Sequence, residues 1–202
     1  MPVREVLRYP HPALKRTARP IDEADGPLPE RVAADLVDTM HAFPGCVGVA
    51  APQIDELVRI VVVDVGAHPR ATVSNGLMVL VNPSVVEAEG SEVAREGCLS
   101  IPHLTANVRR ATKITVEART PAGEHVRVET EGFEARCVLH EIDHLDGLLF
   151  LDRVDSLKTD VFRRKRYSES GSSRPYPGSG SAGSGSAGSG SAGSGSPTGR
   201  AG

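Results

Sequence analysis

A domain that mixes helices with strands is expected of this chain on three observations: an apolar stripe at helical spacing over residues 136–150, a second over 29–43, and β-branched runs with a hairpin between them. In the first stretch, RCVLHEIDHLDGLLF, Val138, Leu139, Ile142, Leu145 and Leu148 recur at spacings of three and four. The same stretch carries His140, Glu141 and His144, an H-E-x-x-H pattern. Residues four apart share one face of a helix, so both imidazoles can reach one metal ion with the Glu141 carboxylate beside it. Asp146-Gly147 should end the helix, glycine tolerating positive φ past the last turn. A buried helix with two incidental histidines would carry the same letters, so a third ligand has to decide.

The other elements follow in chain order. Residues 3–20 hold Pro10, Pro12 and Pro20 among short apolar pieces and read as an extended arm with turns. Residues 29–43 place Val32, Leu36, Val37 and Met40 at helical spacing behind Pro29, which suits a first turn. His41 near its end complements the dipole. Residues 45–53, GCVGVAAPQ, read as a loop of small residues that lets the backbone approach another molecule. Residues 58–65 and 77–86 are β-branched strands, and His68 between them is expected in solvent. Residues 92–101 form a tight, glycine-containing piece with EGCLS, and His103 falls in a loop after Pro102. Residues 107–120 alternate as one half-buried strand, turned by Thr120-Pro121-Ala122-Gly123 into residues 124–129 as an antiparallel hairpin with His125 outward. Residues 154–166 read as a short C-terminal helix capped by Asp155 and ending in Arg163, Arg164, Lys165 and Arg166.

From residue 171 onward Gly, Ser, Ala and Pro dominate, in SGSAG units that cannot bury enough surface to order themselves. The expected division is one folded domain over 1–166 and a disordered Gly/Ser/Ala-rich tail over 167–202. The net charge of −3 gives no global basic field for nucleic acid, so no DNA partner is expected. Cys46, Cys98 and Cys137 are odd in number, and the start MPVREVLRYP lacks an apolar signal core; free thiols in the cytoplasm are expected. Apolar runs are too short to cross a bilayer.

A catalytic site of three ligands and one open position needs one more donor. Downstream of the histidines no His, Cys or Glu stands at the short spacing of a metalloprotease, and Asp146, Asp152, Asp155 and Glu169 offer only carboxylates. Upstream stands Cys98, flanked by Gly97 and Leu99-Ser100, whose thiolate could be presented toward the helix.

GCVGVAAPQ, EGCLS and HEIDHLDG, in that order, resemble the three signature motifs of the peptide deformylases, and the likeness runs from about Val3 to Arg166. The resemblance implies an α+β domain whose antiparallel strands surround a central helix carrying HEIDH, and a hydrolase that removes the N-formyl group from formylmethionyl nascent polypeptides. By motif position it makes Cys98, His140 and His144 the ligands, with water at the fourth place, and Glu141 the general base and then the proton donor to the departing amine. Gln53 and the Leu99 N–H would meet the charge developing on the formyl oxygen. Backbone at Val47, Gly48 and Gly97 would pair with an extended substrate, and its methionine side chain would lie beside Val47 and Cys137. Two imidazoles and a thiolate suit Zn²⁺, but Fe²⁺, Co²⁺ or Ni²⁺ fit the same site; the resemblance favours ferrous iron in cells and zinc after handling in air.

Two positions depart from the family pattern. Cys46 stands where the first motif begins with glycine, placing a thiol at the cleft, and Leu139 replaces a glutamine before His140, removing a hydrogen bond that helps orient it. Two rival readings are a zinc endopeptidase, which lacks its downstream ligand here, and a structural metal module, which needs four protein ligands. The run Arg163, Arg164, Lys165 and Arg166 is a candidate contact with ribosomal RNA.

Overall fold

The computed structural model describes residues 3–164, and the expected tail lies outside them. Helix α1, Leu28–Ala42, forms where the apolar spacing requires it, with Pro29 in its first turn and Val32, Leu36 and Met40 buried. Strand β1, Gly48–Ala50, pairs with β2, Ile60–Val63, which pairs with β3, Met78–Glu89. Strands β6, Lys113–Arg119, and β7, His125–Glu131, complete an antiparallel five-stranded sheet of order β1-β2-β3-β6-β7. Strands β4, Glu92–Cys98, β5, Ile101–Arg110, and β8, Val161–Arg163, make a second antiparallel sheet of order β4-β5-β8. Helix α2, Gly132–Leu145, carries the two histidines. With two helices and two antiparallel sheets the fold is α+β, as the sequence predicts.

Strand β2 explains the layering. All four of its residues are buried, because alternate side chains enter different cores. Ile60 and Val62 join Val32, Leu36 and Met40 of α1, whereas Val61 and Val63 join Val138, Ile142 and Leu145 of α2. The five-stranded sheet is thus covered by a helix on each face. A third apolar cluster, with Leu14, Val108, Leu149 and Phe150, binds the N-terminal arm to the smaller sheet. The arm is mostly irregular, with a 3-10 turn at Pro12–Lys15, as its prolines suggest.

Helix α2 ends where its sequence says. The Leu148 N–H bonds to the Asp143 carbonyl at 2.9 Å and the Gly147 N–H to the His144 carbonyl at 3.2 Å, with Gly147 at φ +71°. This is a Schellman closure.

Five expectations are corrected. Residues 154–164 form turns and β8 rather than a short C-terminal helix. Val161 and Phe162 favour extended backbone, and β8 pairs with the open edge of β5 at Leu104, Thr105 and Ala106. Asp155 caps nothing there; it lies 3.6 Å from Arg109. The single strand over 107–120 is two strands in different sheets, broken at Ala111-Thr112. Buried residues keep the same parity across the break, Ala106, Val108 and Arg110 before it and Ile114, Val116 and Ala118 after it, so alternation alone cannot reveal it. Residues 92–98 are a full strand, and His103 is an exposed strand residue in β5 rather than a loop residue. The small-residue stretch 45–53 is loop only at its start, for it supplies β1 and a 3-10 turn at Ala51–Ile54. His68 is not simply solvated: it is half-buried and stacked on Phe133 at 4.3 Å between centroids. Among the described residues no helix is long and apolar enough to cross a membrane.

Candidate active site

His140 and His144 are one turn apart on α2, their ring centroids 5.1 Å from each other. Cys98 ends β4 at an irregularity: Gly97 pairs with Thr105 but Cys98 with Ile101, and the shift turns the thiol toward the helix. The Cys98 Sγ lies 3.2 Å from His144 Nε2. One donor atom from each of Cys98, His140 and His144 falls within 4.8 Å of the others, and all three residues are buried. Among the described residues this is the group of three able to hold a metal ion.

The electrostatics suit a cation. Burial alone would raise the Cys98 thiol, but the charge of His144 and hydrogen bonding to both histidines hold it well below its ordinary value. Burial would likewise lower His140, yet its bonds to Cys98 and Glu96 hold it well above the usual imidazole range. Glu141 is pushed up to about 7, chiefly by burial. Its Oε2 has no hydrogen-bond partner within the protein, nor does His144 Nδ1. A thiolate, two imidazoles and a buried carboxylate oxygen left unbonded form a donor set that fits a divalent ion with an attacking water beside it.

Glu141 is tucked under β1. A Cβ built on Gly48 would stand 2.6 Å from its Oε1, so only glycine there admits the carboxylate. Gln53 is 2% exposed. Its Oε1 accepts from the Ala50 N–H at 2.9 Å, which aims its Nε2 at Ser100 Oγ, 3.1 Å, and Cys98 Sγ, 3.4 Å. Leu99 follows Cys98 in the turn between β4 and β5 and lines the same cleft of about 300 Å³. Val47, Gly48, Gly97 and Cys137 line it too, so every site residue named from the sequence borders the cleft or the donor cluster. Cys46 also lines it; its thiol donates to the Gly48 carbonyl at 3.2 Å and burial pushes its pKa to about 12, which leaves it a weak nucleophile.

Sequence reading missed the support beneath the histidines. Glu96 accepts from Arg110 Nε at 2.8 Å, Arg110 Nη2 at 3.0 Å, Arg136 Nη1 at 2.9 Å and bonds His140 Nδ1 at 2.9 Å. Asp143 accepts from Arg110 Nη1 at 2.6 Å and from Arg153 Nη2 at 2.6 Å. Glu96 therefore fixes the ring that Leu139 cannot, and Leu139 instead packs against the core. A signal was present: Glu96 shares a strand face with Cys98, and Asp143 stands one turn beyond His140 and two beyond Arg136, a polar line beside the apolar stripe of α2. The wall of Phe133, His68 and Arg70 was also unforeseen; Arg70 lies 4.2 Å over the Phe133 ring.

Two imidazoles one turn apart, a thiolate and a buried glutamate at a single cleft define a metal-dependent hydrolase. The sequence profile described as Polypeptide deformylase matches residues 3–160. The chain is 38% identical over 165 residues to a peptide deformylase of Thermodesulfovibrio yellowstonii, covering 82% of this chain and 97% of that one. It is 42% identical over 154 residues to that of Halothermothrix orenii, covering 76% and 95%. Solved structures agree: a peptide deformylase from Legionella pneumophila has a TM-score of 0.69 at 36% identity over 78% of this chain and 89% of that one. A Met-Ala-Ser-bound class I type b peptide deformylase from Acinetobacter baumannii scores 0.70 at 33% identity over 76% and 99%. The chain belongs to the polypeptide deformylase family, hydrolases that remove the N-formyl group from nascent peptides.

Proposed function

We propose that the chain deformylates nascent polypeptides at this cleft with Cys98, His140 and His144 holding one divalent ion. The observation that carries this is the convergence of those three donor atoms within 4.8 Å, beside a Glu141 oxygen with no protein partner. Such an ion supplies Lewis acidity, making water acidic near neutral pH and polarising the formyl carbonyl. Ferrous iron is the ion we assign in cells, and zinc after purification in air, with nickel or cobalt as substitutes in the same donor set.

Glu141 takes the proton of the attacking water and returns it to the departing amine; a buried carboxylate with one oxygen free of protein partners is placed for both steps. Gln53 Nε2 and the Leu99 N–H stabilise the negative charge that builds on the formyl oxygen. Substrate main chain docks between sheet edges. Strand β1 is an edge of the larger sheet and β4 an edge of the smaller, and Val47, Gly48 and Gly97 at those edges line one cleft. An extended peptide added there uses backbone bonds that read no sequence, while its methionine lies beside Val47 and Cys137. That the Acinetobacter relative is bound to Met-Ala-Ser supports a short peptide as the ligand.

Catalysis is assigned to residues 1–166, a span the family match at 3–160 supports, with 167–202 as an appended tail. Free thiols at Cys46, Cys98 and Cys137 support a cytoplasmic setting. For ribosomal contact the support is the basic run alone: Arg163 is exposed on β8, and Lys165 and Arg166 lie outside the described residues. Co-sedimentation with ribosomes that weakens as salt rises tests it. The central test is formate release from formyl-Met-Ala-Ser by anaerobically prepared protein whose metal is counted. Turnover at one ion per chain is expected, and cleavage of internal peptide bonds without formate release would replace this reading by an endopeptidase.

A further inference from the structure

We infer that the cleft carries a cationic subsite, built by Arg70 and Arg95 with Arg164 beside them, that selects formylated chains bearing an acidic side chain within the three residues after formylmethionine. This rests on the deformylase reading and names a substrate class within it. The acidic residues lining the cleft, Glu96 and Glu141, are both buried, whereas Arg70 and Arg95 are exposed at its rim. Among the described residues their guanidinium groups engage rings, a carbonyl and a hydroxyl rather than carboxylates. Arg70 lies over Phe133 and reaches the Arg95 carbonyl at 3.5 Å, and Arg95 lies 3.5 Å over the Phe162 ring and reaches Thr105 Oγ1 at 3.4 Å. A guanidinium stacked flat on an aromatic ring keeps its N–H edge available for a planar carboxylate, and it has lost part of its rotational freedom in advance.

Position along β4 ties these groups to the substrate. Gly97 and Arg95 share one strand face, and a Cβ on Gly97 would meet the Arg164 guanidinium. Arg164 is held there by its N–H, which donates to the His103 carbonyl at 2.8 Å just past β8. A peptide paired along the free edge of β4 therefore passes Arg164 at Gly97 and reaches Arg95 two residues on, about 7 Å further. Three segments distant in sequence thus concentrate positive charge along one edge of a chain whose net charge is −3.

The test compares formyl-Met-Ala-Ala-Ala amide with the same peptide carrying Glu or Lys at each of the second to fourth positions. At low salt the Glu peptides should exceed the Lys peptides in kcat/KM by about five-fold, the scale of an exposed ion pair, with the difference in KM. The ratio should collapse toward one at about 1 M salt, where the Debye length falls to about 3 Å. It should also collapse in the Arg70→Ala/Arg95→Ala double variant and persist in Arg70→Lys/Arg95→Lys, which separates charge from a damaged Phe133 wall. Anisotropy of labelled peptides on Glu141→Gln protein reads the same preference without turnover. Absent formate from the neutral peptide defeats the deformylase reading; turnover of it with equal Glu and Lys constants and equal affinities overturns the subsite. Competition by a short RNA with no Glu–Lys discrimination would overturn it too, in favour of a nucleic-acid surface.

Discussion

At Glu141 a carboxylate sits 5% exposed with one oxygen unbonded, and its pKa is lifted to about 7, mainly by burial. An acid whose folded pKa exceeds its unfolded one favours folding below the unfolded value and loses that contribution as pH rises to the folded value. Metal-free protein should therefore weaken between about pH 4.5 and 7, and Glu141→Gln should stabilise it near pH 8 by about 1–3 kcal/mol while leaving it unchanged near pH 4. Urea unfolding of chelator-treated protein at both pH values measures this; equal midpoints at the higher pH would refute it. Replacing the same residue by alanine should keep the metal, counted by elemental analysis, and lower kcat by about 10²–10⁴-fold. Residues with chemistry were readable where spacing is local: His140, Glu141 and His144 lie on one turn, and Cys98 was reached through its motif. Glu96 was not, because its partnership with His140 spans 44 positions and no periodicity encodes it. Phe133 and His68 escaped for the same reason, 65 residues separating two rings that stack.

Elements were legible to the extent that one face decides them. Helices α1 and α2 announced themselves by their stripes, and the β6–β7 hairpin by its turn, since these depend on neighbours three to five residues away. Strand β4 did not: Glu92 and Arg95 face solvent, and a buried glutamate, Glu96, occupies an inward position. Nor did β8, where a basic cluster read as a helix end but Phe162 supports Arg95 instead. Gly147 tests how far the terminus of α2 matters. It has φ +71°, and a Cβ there would come within 2.9 Å of the Lys15 backbone, so the residue closes the helix and admits the N-terminal arm together. Gly147→Ala should cost more than about 1 kcal/mol, beyond the usual penalty at a left-handed position, because the arm must also shift. Thermal unfolding with unchanged far-UV dichroism is the expected signature, and an unaltered midpoint would show that the arm yields freely.

For the molecule as a whole, the join between the smaller sheet and α2 is ionic rather than apolar on the site side of the helix. Arg110 of β5 bridges Glu96 of β4 and Asp143 of α2, and all three side chains are nearly inaccessible. Removing one member strands buried opposite charges, so Arg110→Ala should lose about 3–5 kcal/mol in denaturant unfolding. A loss below 1 kcal/mol would mean that water replaces the guanidinium at little cost. The same join predicts acid lability. Burial would raise Glu96, but hydrogen bonds from His140 and Arg110 outweigh it and hold its pKa below the ordinary value. A carboxyl with a depressed folded pKa stabilises above its unfolded pKa and loses that contribution as pH falls toward the folded one. Stability should therefore decline below about pH 4.5, and Glu96→Gln should flatten that decline while lowering stability at neutral pH. Such a network explains how a helix with so many charged positions can be buried at all.

The paired strand margins at β1 and β4 carry a kinetic corollary. On the docking proposed above, amide-to-carbonyl bonding along those margins would be blind to the presence of the formyl cap, so a trimmed chain would keep much of what held it. Free methionyl peptides should then compete with substrate, more tightly as they lengthen until the groove is filled, which inhibition constants measured over a length series check.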